Sequence, residues 1–195
     1  LYSEFRIGSA IADLVMFNGI SRAFEIKTEL DSDKRLNSQL YQYRKVFNEI
    51  FLIVPASKIK EYETYDSSIG VICFDILSPK RFQLVRSATR NNYIDAEGLM
   101  HIFHTNEYKE IVSHYYGQLP EVTSFNQFEV CKGLIAKIPQ NDLNQLFINK
   151  MKSRAGNYDL SARYYKEFNQ LSLALRMNMK NRKHLFSILK APLNV

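Results

Sequence analysis

Asp13, Glu25 and Lys27 are the residues whose types and spacing have the most chemistry in them. Asp13 closes the triplet IAD, an FNG turn follows at Phe17 to Gly19, and EIK runs from Glu25 to Lys27. On a strand, side chains alternate faces, so Glu25 and Lys27 project to one side and Ile26 to the other. A charged pair flanking an apolar residue is costly on a sheet unless something uses it. Two carboxylates beside a lysine are what a hard divalent cation and a phosphate need. Oxygens hold the metal, and an ammonium steadies the attacking water or the charge on phosphorus.

The run DLVMFNGISRAFEIKTELDSDKRLNSQLYQY around these residues resembles the PD-(D/E)XK phosphodiesterase superfamily, the restriction-endonuclease-like and RecB-like nucleases. The resemblance covers about Glu4 to Val54. It implies that Asp13 and Glu25 bind Mg²⁺ (or Mn²⁺), with the Ile26 carbonyl available between Glu25 and Lys27, and that Lys27 orients or deprotonates the hydrolytic water. Gln39 and Tyr43, four residues apart in QLYQY, reproduce a Gln and a Tyr that RecB-like members carry on the next helix. Glu4 is the candidate for the upstream acid that members often add. Ala12 stands where the motif name has Pro, a position that shapes backbone only.

Each assignment has a structural alternative. Asp13 lies in IADLVMF, apolar on both faces, so its strand is expected to be central and buried; an ion pair from Asp13 to Lys27 would satisfy both charges without catalysis. Leu36, Leu40, Tyr43 and Phe47 form a helical apolar stripe, so Tyr43 also suits a core role. His101, His104 and His114 lack partners at metal-ligand spacing and read as surface or packing residues.

The hairpin register tests the site. A two-residue Asn18-Gly19 turn, the default for an NG hairpin, pairs Phe17 with Ile20 and turns Asp13 to the face away from Glu25. One site requires a shifted register, most simply a Phe17-Asn18-Gly19 loop with Gly19 left-handed, which sets Met16 opposite Ile20 and Asp13 opposite Ala23.

Around these residues the spacing predicts strands at Glu4 to Ile7, Ile11 to Phe17 and Arg22 to Thr28, then a helix from Asp33 to Asn48 capped by Ser32 or Asp31. IFLIVP is a short buried strand closed by Pro55, followed by strands in Ser68 to Ile76 and Phe82 to Ala88. Strand, strand, strand, helix, strand is the core order of the resembling superfamily. Near residue 91 the pattern turns helical, so the expected fold is α/β: a restriction-endonuclease-like mixed sheet flanked by helices over 1–91, then an all-helical module over 92–195. The resembling fold begins with a helix before its first strand, which implies residues upstream of Leu1.

With 195 residues the chain holds one ordinary domain or two small ones. It has no apolar run of about 18 residues and no signal-like segment, so neither a membrane span nor secretion is indicated and a cytoplasmic location is expected. Cys73 and Cys131 read as reduced core thiols. From Lys150 to Val195 there are ten Lys or Arg against two acids, within a chain of net charge +6. Tyr158, Tyr164 and Tyr165 interleave with these cations. The basic tail 150–190 is therefore a candidate phosphate contact beside an acidic metal site, the alternative being a solvated helical face. If the tail tracks a phosphate backbone, charge reversal at Arg176, Lys180, Arg182 and Lys183 flattens the salt dependence of nucleic-acid affinity; an unchanged slope removes the tail from the substrate surface.

The resemblance implies a Mg²⁺-dependent nuclease, with DNA favoured over RNA, in a setting of bacterial or phage conflict such as restriction or phage defence. The rivals are a catalytically idle nucleic-acid-binding or protein-interaction module and an RNA-cleaving toxin domain. Strandedness, sequence preference and oligomeric state have no signature in the sequence.

Overall fold

A computed structural model describes residues 1–154 of the chain as an α/β fold with a six-stranded mixed sheet. The strands are β1 (Tyr2–Ile7), β2 (Ala10–Asn18), β3 (Ile20–Ile26), β4 (Glu49–Pro55), β5 (Gly70–Phe74) and β6 (Phe82–Arg86), adjacent in chain order. Two hairpins make β1, β2 and β3 antiparallel, and both turn on glycines with positive φ, Gly8 at 55° and Gly19 at 74°, where a side chain would be strained. β3, β4 and β5 are parallel, and β6 returns antiparallel. Helix α1 (Leu36–Arg44) crosses from β3 to β4 and α2 (Ile59–Glu63) from β4 to β5, the connections that parallel pairs require.

The unbroken apolar run at Ile50 to Val54 is explained by burial on both faces. Ile50, Leu52 and Val54 pack with Leu36, Leu40 and Tyr43 of α1, whereas Phe51 and Ile53 join Leu14, Met16, Phe24 and Ile72 on the opposite face. The predicted strands and crossover helix are all present. The helix ends at Arg44 rather than Asn48, because the chain tightens into i→i−3 bonds there, Lys45 N–H on Gln42 O at 3.2 Å and Val46 N–H on Tyr43 O at 3.1 Å. Ser32 caps the single 3₁₀ turn before it, accepting from Lys34 N–H at 3.3 Å; Asp31 instead closes the preceding loop.

Strand gives way to helix between β6 and α3 (Ala96–Met100), followed by α4 (Thr105–Tyr116), α5 (Gln127–Ile135) and α6 (Gln140–Arg154). The core is continuous across this change. Leu99, Ile111, Val112, Cys131, Ile135, Leu143, Phe147 and Met151 are buried in one cluster with the sheet, and the Phe147 ring meets Phe17 edge-on at 5.2 Å. Both cysteines are buried free thiols. His101, His104 and His114 are exposed, and the His104 backbone N–H donates to Glu107 at the start of α4. Among the described residues no helix is long and apolar enough to cross a membrane. Of the basic tail, Lys150 pairs with Glu110 and Arg154 with Glu107; Arg163 to Lys190, with Tyr158, Tyr164 and Tyr165, lie outside the described residues.

Candidate functional site

The hairpin register decides which face Asp13 takes. Asn18 pairs with Ile20 across Gly19 alone, and the ladder runs through Met16 with Arg22 and Val15 with Ala23 to Leu14 with Phe24. The pairing ends there, and Asp13 and Glu25 are the next residues outward on the two strands. The expected three-residue loop, with Met16 opposite Ile20 and Asp13 opposite Ala23, is not formed, because β2 pairs two residues further toward the turn, with Asn18 rather than Met16 opposite Ile20. A two-residue shift preserves face parity, so the shared face of Asp13 and Glu25 survives the correction.

β2 is also bent at this point. Ala12 and Val15, three residues apart, face the same core, so the alternation is interrupted around Asp13. On β1, Glu4 lies between Ser3, paired with Leu14, and Phe5, paired with Ala12. Glu4 has φ 49°, the single positive value at a non-glycine among the described residues. Backbone in this region costs on the order of 1–3 kcal/mol and concentrates at sites that use it. The bend turns the Asp13 carboxylate across to β3, where Oδ2 accepts the Ile26 N–H at 2.6 Å.

Glu25 is held from the helix above it. Its Oε1 accepts from Gln39 Nε2 at 2.8 Å, and its Oε2 lies 2.7 Å from the Tyr43 hydroxyl. Gln39 and Tyr43 are one helical turn apart on α1, so both reach the same carboxylate. The Tyr43 ring is fully buried in the core, as the apolar stripe implies, while its hydroxyl reaches Glu25. That hydroxyl also lies 2.7 Å from Ile11 O. A phenol has one proton, so the Tyr43 hydroxyl shares its donation between two acceptors in reach, Glu25 Oε2 and Ile11 O. Burial, the nearby Asp13 charge and the opposing pull of Tyr43, Lys27 and Gln39 leave Glu25 raised to about 7. Burial also raises Asp13, against the Ile26 N–H and Lys27, while Asp31 and Glu4 add repulsion. Tyr43→Phe removes the bridge and is expected to destabilise the fold by about 1–2 kcal/mol, read by urea denaturation.

Lys27 projects to the same face as Glu25 and is buried, but the Asp13–Lys27 ion pair weighed above is not the one formed. Lys27 Nζ lies 3.6 Å from Asp33 Oδ1, and the Tyr62 hydroxyl of α2 lies 2.7 and 2.8 Å from the two Asp33 oxygens. Asp33 and Tyr62 escaped the sequence reading. The spacing places Asp33 at a helix start, and nothing in it links that residue to a tyrosine on the next crossover. The structure therefore gathers Asp13, Glu25, Lys27, Gln39 and Tyr43, sets Glu4 beside Asp13, and adds Asp33 and Tyr62. Among the described residues no group of three or more His, Cys, Asp or Glu forms a ready metal shell.

These features define an α/β protein with a half-buried Asp13, a buried Glu25 whose pKa is raised by burial and by the Asp13 charge, and a buried lysine beside them on a mixed sheet. The chain belongs to the bacteriophage P4 protein cII family, whose sequence profile matches residues 1–185. Protein cII of enterobacteria phage P4 is 25% identical over 181 residues, which cover 89% of this chain and 67% of that protein. A solved structure of a protein of unknown function from Silicibacter pomeroyi is similar with TM-score 0.40 and 15% identity, covering 63% of this chain and 84% of that one.

Proposed function

We propose that this protein is a divalent-metal-dependent nuclease of PD-(D/E)XK type with a restriction-endonuclease-like core, acting on DNA. The observation that carries the reading is the treatment of Glu25. Two helix side chains fix its carboxylate near enough to Asp13 for the two charges to repel, and among the described residues no lysine or arginine forms an ion pair with either acid. Such a pair is unfavourable to bury by itself and suits a hard cation, and Mg²⁺ is commonly held by one or two carboxylates with water and phosphate completing the shell.

Asp13 and Glu25, with the Ile26 carbonyl, would hold Mg²⁺ or Mn²⁺. A divalent ion in such a site supplies a Lewis acid for the phosphoryl oxygen and lowers the pKa of water. Asp13 is oriented for this role by the Ile26 N–H, and Glu25 by Gln39 and Tyr43. Lys27 donates to the attacking water or the phosphate oxygen, exchanging its Asp33 partner for substrate. Glu4 adds negative charge at the rim. The phage origin of the cII relative accords with a setting of phage conflict.

A second reading has one observation in its favour. The Lys27–Asp33 pair could be permanent, leaving a catalytically idle nucleic-acid-binding protein that kept the fold. Incubating the protein with plasmid, linear single-stranded DNA and RNA, each with Mg²⁺, Mn²⁺ or EDTA, separates the two. Metal-dependent loss of DNA is the expected result; DNA left intact under every condition refutes the nuclease reading.

A further inference from the structure

The two faces of the sheet are closed in different ways. On the first, the buried apolar side chains of α1 to α6 all lie in one cluster with Ala12, Val15 and Leu52. The second face carries Leu14, Phe24, Phe51, Ile53, Ile72 and Phe82, and among the described residues only Leu1 before β1 and Ala88 after β6 join it from outside the strands. Those six strand side chains are nonetheless at most 2% exposed within a single copy of the chain, and Arg22 on the same face, paired with Glu49 at 2.6 Å, is 5% exposed. Leu1 and Ala88 are too small a cover for a face that runs from β2 to β6; a whole layer of structure is needed to close it.

The chain leaves α6 where it can supply that layer. The Tyr2 hydroxyl donates to Met151 O, which sets the last turn of α6 against the first strand, and Leu1, one residue earlier, already belongs to the second cluster. Residues 155–195 follow from there. Among them Tyr164, Phe168, Leu171, Leu175 and Met179 recur at intervals of four, three, four and four, and the spacing predicts one apolar stripe on a helix. Lys166, Arg176 and Lys180 fall on the opposite side of such a helix. From Tyr164 to Met179 a helix spans about 24 Å, more than the roughly 14 Å between β2 and β5.

We infer that residues 164–179 are the layer that closes the second face of the sheet, laying Tyr164, Phe168, Leu171, Leu175 and Met179 over Phe24, Phe51, Ile53 and Ile72 and turning Lys166, Arg176 and Lys180 outward. The occupant is this chain's own segment rather than a second copy, because the face is already buried within one copy. A helix with one apolar side must bury it against another element, and this face is the one that the described helices leave to be filled. The segment then has two sides with two uses: its apolar side completes the core, and its basic side stays open to a polyanion. The inference stands apart from the nuclease reading.

The test uses the full chain with NMR-labelled isoleucine methyl groups. Ile53 and Ile72 report the second face, and Ile111 and Ile135 the first. Leu171→Asp with Leu175→Asp is expected to lower the melting temperature by about 10 °C and to move the Ile53 and Ile72 signals, the effect of burying charge in a packed layer. Lys166→Glu with Lys180→Glu, on the outward side, should leave both readouts as in wild type. Where the aspartate pair unfolds the chain, a nitroxide on Ser172→Cys in the otherwise unchanged protein gives the reading instead, broadening Ile53 and Ile72 more than Ile111 and Ile135. Ile53 and Ile72 signals that the aspartate pair does not move, or that the nitroxide broadens no more than those of Ile111 and Ile135, overturn the inference. So does a glutamate pair that destabilises as much as the aspartate pair.

Discussion

Asp13→Asn, Glu25→Gln and Lys27→Ala are each expected to lower cleavage by at least about 10²-fold, the usual scale for a positioned acid, base or charge in a reaction of this kind. Substrate binding should change little, because these groups act on the transition state more than on the ground state. Asp13→Asn and Glu25→Gln keep the size of the site while Lys27→Ala truncates a buried side chain, and thermal unfolding alongside the assay verifies that the sheet is intact. Activity above roughly one tenth of wild type in all three would falsify the assignment, since no group that activates water or holds its metal is so dispensable. Asp33→Asn separates the two fates of Lys27. If the pairing with Asp33 only parks the ammonium, cleavage persists. If the ion pair is the purpose of both residues, the loss appears in stability instead.

The pH dependence of stability should carry the signature of Glu25. Its carboxyl is raised from 4.5 to about 7 in the folded protein. Between those values the native state binds a proton that the unfolded chain has released, so stability falls as pH rises. The contribution is complete below the unfolded value and is lost as pH passes through the folded one, a difference of about 3 kcal/mol. Asp13, also raised, adds in the same direction. Asp31, Asp66 and Glu107 are lowered by their hydrogen bonds and act with opposite sign at more acid pH, so the windows separate. Urea denaturation of the metal-free protein at pH 5 and pH 8 should show the loss, and Glu25→Gln should remove most of it. Mg²⁺ at pH 8 is expected to restore stability in wild type but not in Asp13→Asn, because the cation discharges the pair only where both carboxylates are present. A flat profile in wild type would mean that Glu25 titrates normally and that the pair is not strained.

What the residue pattern determined by itself is mostly local. Alternation and turn chemistry placed the strands, since period two and an Asn-Gly turn are properties of neighbours along the chain. The same is true of Glu25 with Lys27, two residues apart on one strand, and of Gln39 with Tyr43, one turn apart on a helix. The register of β2 against β3 was only partly legible. Parity follows from whether the turn holds an odd or even number of residues, whereas the tight pairing of Asn18 with Ile20 depends on how far the ladder closes over Gly19. Three things needed the tertiary structure. The bend at Glu4 and Asp13 depends on two strands distorting together, and it turns the Asp13 carboxylate to the Ile26 N–H. The partner of Lys27 is Asp33 because the crossover of α1 starts against it and Tyr62 of α2 holds that carboxylate in place. The second face of the sheet is buried without any described helix upon it, because all of them place their apolar side chains on the first. Each of these joins residues far apart in the chain, and their proximity is set by packing rather than by spacing.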